Sequence, residues 1–257
     1  MDDTIQKKAI IIGAGIAGLS LAVRLQSKGI QVSVFEANTY PGGKLTELSK
    51  KGYRFDMGPS LFTMPQFVEE LFSISNKNIN HYFSYKKKET VCHYFYKDGT
   101  FFKASSNTDT FSSDAANVFD VEKNTIDNYF KESKNKYELT SSLFLEKSLH
   151  KISTYLSKDT LKAIFNVRNL DINISLHEYN TKSFKDSRLV QLFDRFATYN
   201  GSSPYQTPGI MSMIPHLEQY YGTFFPKGGM HSITESVYKL AQDLGVHFYF
   251  NSTVNRI

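Results

Sequence analysis

Apolar positions organise the start of the chain into three short patterns. Ala9 to Ile12 is an unbroken, largely β-branched run, which predicts a strand buried on both faces. From Ala17 to Lys28 the spacing becomes helical, with Leu21 and Leu25 on one face and Gly29 at the stop position. Gln31 to Phe35, "QVSVF", predicts a second strand. The pattern then changes. "LTEL", the turn "SKKG" and "YRFD" predict a hairpin over 45–56, and a tight loop follows at Gly58 to Leu61. "VCHYFYKDGTFFKA", residues 91–104, predicts another hairpin around Asp98-Gly99. Segments 122–137 and 186–198 read as helices with Phe130 and Phe196 on their apolar sides. Near the end, "FPKGGM" predicts a turn. An amphipathic helix is expected over Ser232–Leu244, with Ile233, Val237, Leu240, Ala241 and Leu244 on one face and Gly245 as its stop. Val246–Phe250 and Thr253–Ile257 read as strands. No internal repeat, low-complexity tract or flexible linker interrupts the chain.

The opening strand, helix and strand make a β-α-β unit with Gly13, Gly15 and Gly18 between its first two elements. In that context each glycine has a use. Gly13 lets the chain turn out of the strand, Gly15 lets a pyrophosphate approach the backbone, and Gly18 lets the helix pack closely. The helix N-terminus offers unpaired N–H groups and a positive dipole end to phosphate. Glu36 ends the second strand, where a carboxylate accepts hydrogen bonds from an adenosine ribose and disfavours a 2′-phosphate. NAD and FAD remain. An NAD domain would usually continue into another β-α unit, whereas here paired glycines, Gly42 and Gly43, precede Lys44 and a hairpin.

The stretch Ala37 to Pro65 resembles the flavoproteins in which a Gly-Gly-Arg motif follows the dinucleotide fingerprint. These include amine oxidases, protoporphyrinogen oxidases, GDP-dissociation inhibitors and carotenoid desaturases. Lys44 stands where arginine is commoner, keeping the charge for a phosphate and losing the bidentate fork. Asp194 to Ile257, together with "YRFDMGPSLFTMP", is similar to the bacterial-type phytoene desaturase group, including hydroxycarotenoid 3,4-desaturases. The resemblance implies FAD as cofactor and an α/β fold. A Rossmann-like FAD-binding domain (1–65 and 227–257) would carry an inserted mixed α+β substrate region (66–226). It implies that Gly13, Ala14, Gly15, Ile16, Ala17, Gly18, Glu36, Ala37, Gly43, Lys44, Gly58, Pro59, Ser60, Leu61 and Val254 bind the cofactor, Val254 through its backbone near the adenine. It also places the Val246–Phe250 strand beside the Glu36 strand. The implied activity is the introduction of C=C bonds into a C40 carotenoid by hydride transfer to flavin. Two other readings share the fold, an amine oxidase and a GDP-dissociation-inhibitor-like lipid carrier. An intact phosphate loop with Glu36 argues against the carrier.

Composition adjusts this picture. With 257 residues the chain can bury a core as one or two domains. It has 21 Phe and 16 Tyr without Trp, and Phe62, Phe196, Tyr199 and Tyr205 are candidates to line an apolar tunnel. Asp194, Arg195, His216 and Glu218 lie in the family-like segment. Asp194 and Arg195 read as surface or ion-pair residues and His216 as a hydrogen-bonded structural histidine, so no catalytic residue is assigned. Cys92 is the single cysteine, which excludes an intramolecular disulfide and suits the reducing cytoplasm. No His-x-x-x-His pair suggests a metal site. The net charge of +5 is scattered, without the basic stripe that nucleic acid wants. No run approaches the ~18 apolar residues of a membrane span, so a carotenoid would be reached by peripheral association with the membrane. "HYFSYKKK", with Lys86, Lys87 and Lys88 beside aromatics, is a candidate docking patch. Relatives in the resembled group are longer, and a nucleotide sheet of this order wants a further strand beyond Ala9–Ile12. The chain therefore reads as an N-terminal fragment.

Overall fold

The structure, a computed structural model, describes residues 7–141 and 170–257. The chain divides into two compact units, Met1–Lys87 with Phe224–Ile257, and Lys88–Thr223. The sequence expectation placed these boundaries at 65/66 and 226/227. The difference arises because helix α2 (Gln66–Ile74) and strand β5 (Tyr85–Lys87) join the first unit: α2 supplies Leu71 and Phe72 to its core, and β5 pairs antiparallel with β8 (Phe224–Pro226).

The first unit is α/β and Rossmann-like. Strand β1 (Lys8–Ile12) leads into helix α1 (Ile16–Gln26) and strand β2 (Gln31–Phe35), which lies parallel to β1 with Ile12 opposite Phe35. Strand β9 (His247–Tyr249) adds in parallel on the far side of β2, giving the order β1-β2-β9 and placing β9 beside the Glu36 strand as the resemblance implies. Helix α7 (His231–Asp243) packs Val237, Leu240 and Ala241 against Leu19, Ala22 and Val23 of α1 and against Ile11, Val32 and Val34 of the sheet. Gly29 and Gly245 end α1 and α7 with φ of +78° and +90°, a conformation glycine adopts without strain.

Three sequence expectations fail here. Strand β1 is covered on one face only, since Ile10 is 71% and Ile12 51% exposed, because α1 and α7 cover the face that carries Ile11. The buried face of α1 carries Leu19, Ala22 and Val23, while Leu21 is exposed. Residues 253–257 pair with nothing among the described residues and form no strand.

The hairpin over 45–56 is present as β3 (Glu47–Lys50) and β4 (Tyr53–Asp56), joined by Lys51 and Gly52, both at positive φ as the tight hairpin turn requires. A separate aromatic cluster joins Phe62, Phe83, Tyr85 and Phe224, with ring centroids 5.4 to 6.3 Å apart.

The second unit is mixed α+β. The ribbon β6 (Thr90–Phe95) and β7 (Phe101–Ser105) turns at Asp98-Gly99. Helices α3 (Thr108–Phe119), α4 (Lys123–Ser141), α5 (Leu176–Ser183) and α6 (Ser187–Asp194) follow in chain order. Three of these helices start on a side-chain cap from a short polar residue, Asn107 for α3, Ser175 with Glu178 for α5 and Asp186 for α6. The core is dense in aromatics, with Phe102, Phe111, Phe119, Tyr129, Phe130, Phe193 and Phe196 buried. Cys92 packs against it from β6.

Candidate dinucleotide-binding site

The site starts at the turn between β1 and α1. Gly13 has φ +95° and donates its N–H to the Phe35 carbonyl (2.8 Å), so the turn leaves the strand at an angle closed to other residues. Gly18 sits so near that a Cβ would fall 2.1 Å from the Gly13 carbonyl oxygen. Gly15, at the N-cap of α1, differs from both. Its φ of −68° is open to any residue, and a Cβ there would meet nothing within 4 Å. The chain thus leaves free space above Gly15 at a helix start that no side chain caps, with the first-turn N–H groups of Ile16, Ala17 and Gly18 available to an anion.

Glu36 stands beside this opening. Its carboxylate is 6% exposed and accepts from the Ala14 N–H (2.7 Å, Oε2) and from both the backbone and side-chain N–H of Asn38 (2.9 and 2.8 Å, Oε1). Burial pushes its pKa up, but those hydrogen bonds outweigh it and hold the group below the ordinary carboxylate range. Glu36 is therefore a fixed anion with acceptor capacity left on both oxygens. The Glu36 carbonyl accepts from Ser252 N–H (2.9 Å) and the Asn38 carbonyl from Asn251 N–H (3.1 Å), which fastens the segment after β9 along the end of β2. Val254 lies two residues farther on, in irregular chain.

The glycine pair closes the other side. Gly42 donates to the Ala14 carbonyl (2.8 Å), Gly15 and Gly42 form a parallel bridge, and a Cβ on Gly43 would lie 3.4 Å from the Gly15 Cα. Lys44 follows, exposed and without a hydrogen bond or ion pair among the described residues. Gly58 supports this loop, since a Cβ there would fall 1.8 Å from the Lys44 carbonyl oxygen; Pro59 and Ser60 are exposed and Leu61 half-buried. The structure thus brings residues 13–18, Glu36, Ala37, Gly43, Lys44 and Gly58 to one region.

Four supporting residues escape the sequence reading. Asn38 orients Glu36. His231 Nδ1 and Thr234 Oγ1 both engage the Leu45 carbonyl oxygen (2.9 Å each) and so pin the glycine loop to α7. Asp56 accepts from the Met230 and His231 N–H groups (3.0 and 3.4 Å) and pairs with Arg54, which also pairs with Glu47. The signal for His231 and Thr234 was their spacing of three at a helix start, which brings both to one side of the first turn.

The candidates of the second unit are used differently. Arg195 pairs with Glu218 (2.8 Å) and donates to the Tyr94 hydroxyl (2.8 Å), while Tyr199 donates to Glu218 (2.6 Å). Asp194 accepts from Asn180 (2.8 Å) and lies 2.7 Å from His177 Nδ1. Arg195 is thus an ion-pair residue, and Asp194 is held by Asn180 and His177. His216 is hydrogen-bonded through its backbone, whose N–H donates to the Ser133 hydroxyl (3.1 Å), while its imidazole makes no hydrogen bond among the described residues. Its ring stacks on Tyr220 at 4.9 Å and packs on Tyr137, and burial holds its pKa below 6.5. Of the four tunnel candidates, Phe62 belongs to the aromatic cluster of the first unit, Phe196 is buried in the core of the second with Tyr199 packed against it, and Tyr205 is exposed. In "HYFSYKKK" the lysines are exposed but the rings turn inward. Phe83 is buried, and the Tyr82 and Tyr85 hydroxyls bond Asp243 and Glu69. The aromatic half of that docking patch is therefore absent.

Residues 16–257 match the family described as flavin containing amine oxidoreductase. The chain belongs to this family. Its cofactor is FAD, and the space over Gly15, the free N–H groups of α1, the fixed Glu36 and the unpaired Lys44 fit such a dinucleotide. Within the family, the chain is 56% identical over 251 residues to a 1-hydroxycarotenoid 3,4-desaturase of Flavobacterium sp. (strain P99-3), covering 98% of this chain and 51% of that protein. It is 31% identical over 260 residues to a 4,4'-diapolycopene oxygenase of Methylomonas sp, covering 100% and 51%. The chain spans about half the length of the curated relatives it matches. Among solved structures, an oxidoreductase from Methanosarcina mazei aligns with TM-score 0.59 at 19% identity over 95% of this chain and 51% of that one. Putrescine oxidase aligns with TM-score 0.61 at 16% identity over 96% and 51%. Those two likenesses concern the fold.

Proposed function

We propose that the protein is an FAD-dependent carotenoid desaturase, and that the site around Gly15 holds its cofactor. On this reading the diphosphate lies over Gly15 against the N–H groups of Ile16, Ala17 and Gly18, with Lys44 as a point charge. Glu36 accepts the hydroxyls of the adenosine ribose, Ala37 borders it, and Val254 approaches the adenine through its backbone. Gly58, Pro59, Ser60 and Leu61 form the second tight loop against the cofactor, with Gly58 also backing the glycine loop. The unit of residues up to Lys87 and from Phe224 on is the cofactor domain, and Lys88–Thr223 the region that receives the substrate.

Desaturation removes two hydrogens from adjacent carbons as a hydride and a proton. FAD, when bound, supplies the hydride acceptor that no side chain provides. The protein's part is to hold the dinucleotide and keep water from the reacting chain. Asp194, Arg195 and Glu218 are each engaged by other side chains, so none of them is assigned the proton.

The observation that carries the substrate class is the 56% identity over 98% of the chain to a 1-hydroxycarotenoid 3,4-desaturase. Among the described residues no helix is long and apolar enough to cross a membrane, and a carotenoid dissolves in bilayers, so the reading includes peripheral docking on a membrane surface. The test is expression in a host that accumulates a 1-hydroxycarotenoid. A new C=C bond lengthens the conjugated system, so the extracted pigment should absorb at longer wavelength. Unchanged pigment beside a yellow, flavin-bearing protein would contradict the desaturase reading.

A further inference from the structure

The ribbon β6–β7 has two unlike faces. Tyr94, Phe102 and Ala104 turn into the core of their unit. The opposite face carries His93, Phe95, Phe101 and Lys103, since the register sets Phe95 opposite Phe101 and His93 opposite Lys103. Phe95 is 79% exposed and Phe101 48%, with ring centroids 5.1 Å apart; the His93 ring lies 5.5 Å from Phe101. Single exposed aromatics are ordinary. A cross-strand pair with both rings in solvent is not explained by packing within the unit.

The charges around the pair are one-sided. Lys97, at the turn, and Lys103 are exposed and make no hydrogen bond or ion pair among the described residues. The acid of the turn, Asp98, is occupied: Arg188 Nη1 lies 3.0 Å from its Oδ2, and the Thr100 N–H donates to Oδ1 (2.9 Å). Exposed rings ringed by unpaired lysines complement an anionic lipid surface, where phenyl groups enter the headgroup boundary and ammonium groups meet phosphate. The same charge sign disfavours a second copy seated face to face.

We propose that the Phe95–Phe101 face of β6–β7, with Lys97 and Lys103, is the surface that docks the protein on an anionic bilayer. It deepens the membrane-facing part of the proposed function and rests on that reading, and it replaces the "HYFSYKKK" patch whose rings point inward.

The experiment is flotation of the chain with vesicles of phosphatidylcholine, alone or with phosphatidylglycerol, at low and high salt. The parent should float with the anionic vesicles, and salt should weaken the binding. F95S/F101S should bind about tenfold more weakly or worse, the fold-change that burying a phenyl ring is worth. K97E/K103E should lose the preference for anionic vesicles. Y53S/F55S, which alters the exposed aromatics of β3–β4, should float as the parent does. Circular dichroism checks that each variant is folded. Equal flotation of parent and F95S/F101S, or loss in Y53S/F55S instead, would overturn the proposal. So would a parent dimer that F95S/F101S converts to monomer without changing flotation. Titration of the same preparations with FAD separates the two readings. Normal FAD binding without flotation overturns the docking surface alone, whereas flotation with unchanged pigment in the host overturns the desaturase alone.

Discussion

The two units treat their charged groups in opposite ways. Around Gly15 the polar atoms are oriented but not exhausted: α1 starts without a side-chain cap, Lys44 has no partner among the described residues, and the space above Gly15 is open. In the second unit the buried charges are matched within the protein. Arg195, Glu218, Tyr94 and Tyr199 close on one another, and Lys136 meets Asp171 and Ser212 at 2.8 Å each, with its Nζ 3.5 Å from the Tyr179 ring centroid. Spare capacity points to a ligand, and saturation to architecture. Asp194, Arg195 and Glu218, which lie in the family-like segment, fall on the architectural side.

That contrast can be broken by mutation, and the largest effect is expected at Gly15. A Cβ at Gly15 meets nothing within 4 Å and the backbone there is open to any residue, so Gly15→Val should leave the melting temperature near the parent's and abolish FAD binding, read by fluorescence titration. Glu218→Ala should do the reverse. It leaves Arg195 without its carboxylate, and because that guanidinium keeps partial access to water, the cost should sit at the low end for a broken buried pair, about 3 kcal/mol in urea unfolding, with FAD affinity unchanged. Glu36→Ala comes next, weakening FAD binding by about 1.5–3 kcal/mol, the worth of a hydrogen bond to a charged group. A Glu36→Ala protein that bound FAD as the parent does would remove the ribose from that carboxylate.

The smallest effect separates the units by pH. Burial depresses His216 below its ordinary 6.5, so below that pH the unfolded chain takes a proton that the folded chain refuses. The stability from neutral His216 is full above 6.5 and is lost as pH falls toward the folded value. Glu36, depressed below 4.5, contributes above that pH and loses its share only as pH falls through its folded value. Acid should therefore loosen the second unit first, seen as a fall in amide protection there just below pH 6.5, and His216→Phe should remove that early step.

Much of the first unit was legible because its signals are local. The strand over Gln31–Phe35, the hairpin turn at Lys51-Gly52 and the stops at Gly29 and Gly245 each follow from a few adjacent residues. What the sequence hid depends on contacts between distant segments. Nothing in "KAIII" says that Ile10 and Ile12 stay uncovered, because that depends on which face α1 and α7 occupy. Asn38, His231 and Thr234 look like ordinary polar residues until Glu36 and the Leu45 carbonyl are in place beside them. In "HYFSYKKK", composition put rings and lysines together, but the pairing of β5 with β8 and the contacts of Phe62 drew the rings inward. The Phe95–Phe101 face, hidden in an ordinary hairpin pattern, emerged only when the register fixed which side the core occupies.

The central claim is that the open space over Gly15, flanked by Glu36, is where the dinucleotide sits. The measurement that tests it most directly is an experimental structure of the chain crystallised with FAD. The account predicts the diphosphate over Gly15 at the start of α1 and the adenosine ribose hydroxyls on the Glu36 carboxylate. FAD bound elsewhere on the chain, or a diphosphate out of reach of the Ile16, Ala17 and Gly18 N–H groups, would contradict it.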